Sequence, residues 1–357
     1  SAASDVYKRQ CFIERGFNLV EDKGYAAMVT MQSWMFLGSF EKMRAKVIDN
    51  KTIVSMAHLG PRAFDAIGGE VVNVTADVIY NGRAACEGAY VRLVDINGSE
   101  AKRLKLLEAI ENLDCGWFYC RDAETFKQIP GTPIAYWASD GLINAFSIRE
   151  GLRSYARPTA GIRTGDNDRF LRFAWEVSFE KVGIHLRDRA QAKESGCKWF
   201  PANKGGLYRK WFGNLDYVIN WENDGEELSS FPGCDNAGVK FFFRAGVTWG
   251  TISSGSLSVR YCDPGVISEH CGSMCFSESN DVLLCVVGLL NFSVSDAFHQ
   301  FLSPTLAFRE AAIGNTPLDE RGVCPEVSSI VNQCIEESKI DWDSFETSWD
   351  FKHHPLV

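Results

Sequence analysis

The sequence has no apolar run approaching the length of a bilayer-spanning helix, so no membrane-spanning helix can be read from it. Its twelve cysteines show no close, regular pairing, which argues for reduced thiols in a cytoplasm rather than a disulfide scaffold. Paired CxxC knuckles are missing as well. Cys262, His270, Cys271 and Cys275 lack zinc-site spacing, and His353-His354 with Asp341 and Asp343 form no metal or triad pattern, so no metal is expected. Nor is there an excess of positive charge. A formal net charge of −9 argues at first sight against a uniformly basic nucleic-acid protein. Net charge is a sum, however, and binding depends on where the charge sits.

What is present describes a globular protein. With 357 residues, 45% hydrophobic and 23% charged, the chain can bury a real core in one large domain or two. The first ten residues, SAASDVYKRQ, carry no signal-peptide pattern. DVYKRQ resembles the translation of a transposon end used in preparing sequencing libraries. Residues 1–10 are therefore read as non-native, an ordinary polar tail being the plainer alternative.

Phe12, Ile13, Phe17, Leu19 and Val20 suit one face of a helix over 12–23, capped by Gly24. Tyr25 to Thr30 has the length of a buried strand, Phe40 to Asp49 reads as a second helix, and Ile53 to Leu59 as another strand. From Gly60 the chain reads as a loop carrying Phe64 and a Gly68-Gly69 hinge. A strand from Val71 to Tyr80 follows, then a tight turn at Asn81-Gly82 and a returning strand from Tyr90 to Ile96. That order predicts an α/β unit whose last strands include an antiparallel pair.

These residues carry a resemblance. FIERGFNLVEDKGYAAMVTMQSWMF with the Phe64 loop resembles the segment after the catalytic motif of adenine-specific DNA methyltransferases. The similarity is to the PglX type found in bacteriophage-exclusion (BREX) defence, with relatives among fused restriction–modification enzymes. GIRTGDNDRFLR (161–172), KWFPANKGGLYRKWFGNLDYVINWENDG (198–225), LSPTLAFREAAIGNTPL (302–318) and DWDSFETSWDFKHHPL (341–356) add to it in the right order. The implied fold is the C-terminal half of a Rossmann-like methyltransferase sheet followed by a mixed α/β target-recognition domain. The boundaries read as catalytic part 11–97, connector 98–155, recognition domain 156–320, and a tail 321–357 packed on the body.

The same family binds S-adenosylmethionine through a glycine-rich turn and holds the adenine amine with Asn-Pro-Pro-Tyr or Asp-Pro-Pro-Tyr. This chain contains no Gly-x-Gly and no Pro-Pro. The resemblance therefore implies the cofactor for a full-length protein, no cofactor-binding residue retained here, and a fragment inactive alone. It carries over one active-site residue, Phe64, as the ring that stacks on an adenine extruded from the duplex. The plainer reading of Phe64 is a plug on the sheet edge.

The second domain is read from its texture after Pro158: short aromatic-rich segments broken by Gly, Asn and Asp. Seven cations lie between Leu186 and Lys210 against two acids, Asp188 and Glu194. Lys198 and Trp199, Lys204 before a Gly-Gly pair, and Arg209-Lys210 before Trp211-Phe212 suit phosphate contact with aromatic packing. Thr164, Gly165, Asn167 and Arg169 resemble a block at the start of the family's recognition domain. Their Gly-containing turn suits close approach to DNA, with Arg169 or Arg172 expected on a phosphate or guanine edge. Thr248, Ser253, Ser254 and Arg260 make a weaker patch. The alternative for the basic cluster is a solvated charged surface over a core of aromatics. For the 164–172 block it is a purely local turn preference of Asn and Asp, and for the last patch a Ser-rich loop without function.

Two functions remain open on the sequence: a fragment of an adenine-specific DNA methyltransferase, or a non-catalytic specificity protein. Both imply double-stranded DNA as partner, with other phage-defence subunits as further partners and no membrane.

Overall fold

A computed structural model describes residues 12–64, 72–253, 255–304 and 307–356. The reading of residues 1–10 as non-native, the Gly68-Gly69 hinge and Ser254 lie outside the described residues. The chain divides into two compact units, one ending at Ile148 and the other beginning at Arg149.

The first unit opens with helix α1 over residues 12–19, four residues shorter than its apolar pattern allows. The cause is Asn81, whose side-chain amide donates to the carbonyls of Phe17, Val20 and Glu21 and closes the helix end. β1 (Tyr25–Met31), α2 (Glu41–Asn50), β2 (Thr52–Gly60), β3 (Val74–Tyr80) and β4 (Gly88–Arg92) follow. After them come α3 (Ser99–Glu111), β5 (Phe118–Arg121) and α4 (Asp140–Ile148).

The five strands form one mixed sheet in the order β1-β3-β2-β4-β5. β3 runs antiparallel to both neighbours, so β1 and β2 are parallel with β3 between them. β4 is parallel to β2 and antiparallel to β5. The expected Asn81-Gly82 hairpin is therefore not formed. β2 lies between the two strands that the turn was to join, and the Asn81 side chain is occupied in capping α1.

Side-chain alternation puts Ala26, Met28, Met56, Asp77, Ile79 and Tyr90 on one face of this sheet. A shift in register between Ile53 and Ser55 keeps Ile53 on that face as well. Trp34, Met35, Phe40, Val47, Ile48, Phe126, Ile134 and Tyr136 close over it as a core. The other face of β4 is covered by α3, with Val91, Leu93 and Ala109 buried together. Of residues 98–155, read as a connector, 98–148 thus belong to the first unit and 149–155 to the second. β5 extends its sheet, and Phe126 and Tyr136 are fully buried in its core.

Among its described residues the second unit contains two four-stranded sheets and a two-stranded one. β6 (Glu150–Gly151) pairs with β15 (Pro317–Leu318). β7 (Arg157–Thr159), β11 (Gly246–Trp249), β12 (Val259–Cys262) and β14 (Met274–Phe276) make a sheet in the order β12-β11-β14-β7. β8 (Leu171–Phe173), β9 (Trp199–Asn203), β10 (Tyr217–Asn220) and β13 (Ile267–Ser268) make the other, in the order β13-β9-β10-β8. Three short helices, α5 (Asn167–Phe170), α6 (Arg189–Glu194) and α7 (Glu222–Ser229), flank the latter sheet.

The apolar α8 (Asn280–Asn291) buries Leu283, Leu284, Val286, Val287 and Leu290 against the first of these sheets. It is followed by α9 (Ser293–Leu302) and α10 (Glu310–Asn315), and then by α11 (Pro325–Trp342), whose Val331 and Ile335 join the same core. No single helix among the described residues is long and apolar enough to cross a membrane.

Candidate nucleic-acid interface

In the first unit the carboxyl ends of the parallel strands β1, β2 and β4 come together, the place where ligands bind in open α/β sheets. β2 ends at Gly60, whose φ of +64° and close fit to Val94 would tolerate no Cβ. Lys102 of α3 is buried and donates to the carbonyls of Leu59 and Leu93, which ties the ends of β2 and β4 to the helix. Arg62 then donates to Asn97 at 3.2 Å. The turn so anchored presents Phe64, 46% exposed, in the connection between antiparallel β2 and β3.

Beside this turn lies a polar group that sequence reading missed. His58 is buried on β2, with Nε2 2.7 Å from Gln32 Oε1 and Nδ1 3.0 Å from the Tyr136 hydroxyl. Burial first, then the charges of Arg92 and Lys102, hold its pKa down at about 3. The ring is neutral at pH 7, with Nε2–H donating to Gln32 and Nδ1 accepting from Tyr136. Phe36 and Trp137 flank it, and Arg92 lies over Trp137 at 5.4 Å. A lone histidine in an apolar strand gives no sequence signal for such a network. On the neighbouring β3, Asp77 is buried with Oδ1 unpartnered, and burial pushes its pKa up to about 7.

In the second unit most of the predicted cations are already engaged. Arg169 is bonded to Glu227 at 2.6 Å and Arg189 to Asp224 at 2.8 Å, while Lys198 faces Glu222 at 3.6 Å. Arg209 donates to Asp341 at 2.7 Å and to the carbonyls of Phe212 and Ser338, fastening α11. Lys210 donates to the carbonyl of Asn291 at the end of α8. Arg172 donates to the carbonyls of Asp168 and Leu171 and lies over the Trp199 ring. Within the surplus counted along residues 186–210, Arg189, Lys198 and Arg209 are thus offset by Asp224, Glu222 and Asp341 from elsewhere. Thr164 is buried and donates to Asn167 at 2.6 Å, a bond internal to its turn. Thr248 and Arg260 of the weaker patch are buried too.

Lys204 is different. Among the described residues its ammonium meets no carboxylate and sits 4.6 Å from the centre of the Tyr217 ring. Tyr217 faces its cross-strand partner Phe173, with ring centres 4.6 Å apart, and Phe173 stacks on Trp175 at 4.7 Å and 7°. Trp175 is 57% exposed. Three rings and a cation therefore form a continuous surface at one end of the β8–β10 pair. Trp175 and Phe173 lie in RFLRFAWE, where aromatic spacing fits alternating strand positions; the cross-strand pairing with Tyr217 was beyond a sequence reading.

Cys262 and Cys275 are buried, and burial raises both thiols, Cys262 to about 12. Among the described residues no three His, Cys, Asp or Glu side chains gather as a metal-holding group.

The two units define a mixed α/β protein of several sheets. One presents an aromatic on a strand-end turn and the other a surface of stacked rings and a cation. The Eco57I restriction-modification methylase family matches residues 1–64. The adenine-specific methyltransferase PglX of Lacticaseibacillus casei (strain Zhang) is 38% identical over 368 aligned residues, covering all of this chain and 30% of that protein. The adenine-specific methyltransferase BrxX of Escherichia coli O9:H4 (strain HS) is 38% identical over 356, covering 97% of this chain and 28% of that protein. Over its whole length, then, the chain is similar to the PglX-type adenine-specific methyltransferases, and it spans under a third of the relatives it matches. The type IIL restriction-modification enzyme MmeI, solved in complex with DNA, aligns over 93% of this chain and 48% of its own, with a TM-score of 0.49 and 12% identity.

Proposed function

We propose that the chain is part of a site-specific DNA methyltransferase that transfers a methyl group from S-adenosylmethionine to the exocyclic amine of adenine. Its setting is restriction–modification or phage defence in a bacterial cytoplasm. The observation that carries this reading is 38% identity along the entire chain to PglX. The arrangement of β3 between parallel β1 and β2 supports the first unit as the C-terminal half of a Rossmann-like methyltransferase sheet.

An amine inside a base pair cannot reach a methyl donor, so the adenine must leave the stack and rest on a flat apolar face. Phe64, half-exposed on an anchored turn, is assigned that role. No donor site is assigned to the described residues. β1 runs into the Gln32–Met35 turn, β2 into Gly60-Pro61 and β4 into Leu93, and no Gly-x-Gly or Pro-Pro occurs in the chain. Donor binding and the amine-holding tetrapeptide are therefore assigned to the remainder of a longer protein.

The second unit is read as the target-recognition part, with double-stranded DNA as its partner and other defence subunits as further partners. Lys204, Trp199, Lys198 and Arg172 are the residues assigned to DNA, with Asn167 and Arg169 at the adjoining turn. Arg209 and Lys210 support the fold beneath them.

The test is methyl transfer by the full-length protein containing this chain, using labelled S-adenosylmethionine and genomic DNA from a host lacking the enzyme. Label recovered as N6-methyladenine is expected. Label in cytosine, or none despite a folded protein, overturns the assignment.

A further inference from the structure

Between Lys204 and Arg209 the chain makes a short projecting tip, and its composition is opposite to what solvent favours. Leu207 is 86% exposed and Tyr208 60% exposed. Yet the backbone beneath them is fastened from both sides by buried polar side chains. The Asn214 amide donates to the Leu207 carbonyl at 2.7 Å. Asn203, fully buried, accepts from the Gly205 N–H at 3.3 Å. Arg260, 1% exposed, donates to the carbonyls of Gly205 at 3.3 Å and Arg209 at 3.2 Å.

Burying a guanidinium is expensive, and among the described residues this one meets no carboxylate; its hydrogen bonds go to the two ends of the tip. Gly206 has φ +105°, and a Cβ there would lie 2.8 Å from the Asn214 amide nitrogen, so this turn admits only glycine. The fold thus holds a leucine in water on a fastened backbone, beside Lys204, which among the described residues has no carboxylate or carbonyl partner.

We propose that Leu207 is a wedge that enters the base stack of double-stranded DNA, with Lys204 on the flanking phosphate. The proposal rests on the DNA reading above and deepens it. Apolar wedges such as leucine unstack a base step when a rigid backbone drives them in, and a neighbouring cation holds the phosphate on the opened side. The rigid anchoring meets the first requirement and the unpaired Lys204 the second. A second copy of the chain is the other occupant such a tip can take, and it carries no argument from charge.

A wedge untwists the duplex, which a relaxed plasmid reports without knowledge of the recognition sequence. The 357-residue chain, Leu207→Ala and Leu207→Phe are each bound to closed circular plasmid, treated with topoisomerase I, stripped and run as topoisomers. Binding to the same plasmid is measured in parallel by sedimentation at several salt concentrations. The wild-type chain and Leu207→Phe should lower the linking number, while Leu207→Ala should bind within about tenfold of wild type and leave it unchanged. Leu207 is almost fully exposed, so its removal leaves folding intact, and melting temperature checks this.

Equal topoisomer shifts for wild type and Leu207→Ala, or binding without any shift, remove the wedge and leave the DNA reading standing. Failure of the wild-type chain to bind plasmid removes the DNA reading of this unit and the wedge with it. Loss of self-association in Leu207→Ala with topology unaltered assigns the tip to a second copy and overturns the proposal.

Discussion

Arg209 and Asp341, 132 residues apart in the chain, are joined by a 2.7 Å bond from guanidinium to carboxylate. The same guanidinium bonds the carbonyls of Phe212 and Ser338, so one side chain holds α11 to the loop before β10. Lys204, five positions earlier in the same basic run, is held by no carboxylate among the described residues. The two cations should answer mutation in opposite ways. Arg209→Met should cost roughly 1–3 kcal/mol of stability through lost charged hydrogen bonds and leave the salt dependence of DNA binding unchanged in the folded fraction. Lys204→Met should leave the melting temperature in place and lower the log–log salt slope by about 0.9. Denaturant melts beside binding titrations between low and moderate salt decide it; a slope change for Arg209→Met alone would reverse the roles assigned here.

That difference shows what the sequence could convey. Counting charge along residues 186–210 treats neighbours in the chain as neighbours in space. The acids that offset Arg209, Lys198 and Arg189 arrive from Asp341, Glu222 and Asp224 through tertiary folding. Four of the five strands of the first unit were legible because apolar runs of strand length are bounded by Gly, Asn and Pro; β5 lies in the stretch read as a connector. The strand order was not legible. Asn81-Gly82 is a strong local signal for a hairpin, but β2 takes the place beside β3, a choice made by long-range pairing. The turn carrying Phe64 was legible because Gly60-Pro61 ends β2 locally. The His58–Tyr136–Gln32 network draws on residues 78 and 26 positions from the histidine, and no periodicity marks it.

Asp77 gives a pH dependence whose sign is fixed. Its pKa rises from 3.8 unfolded to about 7 in the fold, so between those values the folded state keeps a proton that the unfolded chain releases. Stability is complete below pH 3.8 and falls as pH rises toward 7, by about 1.4 kcal/mol per pH unit at most. His58 and His299 act oppositely: burial lowers them to about 3 and about 4, so their contribution is lost as pH falls below 6.5. The wild-type curve mixes these trends, and the comparison with Asp77→Asn separates them. Asparagine reproduces the neutral acid, so the variant should gain on wild type progressively from pH 4 to 7, by on the order of a few kcal/mol. Parallel denaturant midpoints for the two proteins across that range would show that Asp77 ionises normally.

Phe64 tests the catalytic half of the proposal. If its ring carries the extruded adenine, Phe64→Ala in the full-length enzyme removes roughly 1–3 kcal/mol of base–aromatic stacking. That is about a ten- to hundredfold loss in single-turnover methylation, since each 1.4 kcal/mol is about tenfold. Phe64→Tyr and Phe64→Trp should keep most of the activity, because any flat ring serves. Affinity for S-adenosylmethionine should hold, since the stacking face meets the base. The sheet-plug alternative makes the reverse claim: a lower melting temperature with full activity in what stays folded. At 46% exposure the ring contributes little to the core, so the alanine variant should melt near wild type while losing turnover. A variant that melts lower and methylates normally would return Phe64 to the edge of the sheet and leave the adenine without its ring in this chain.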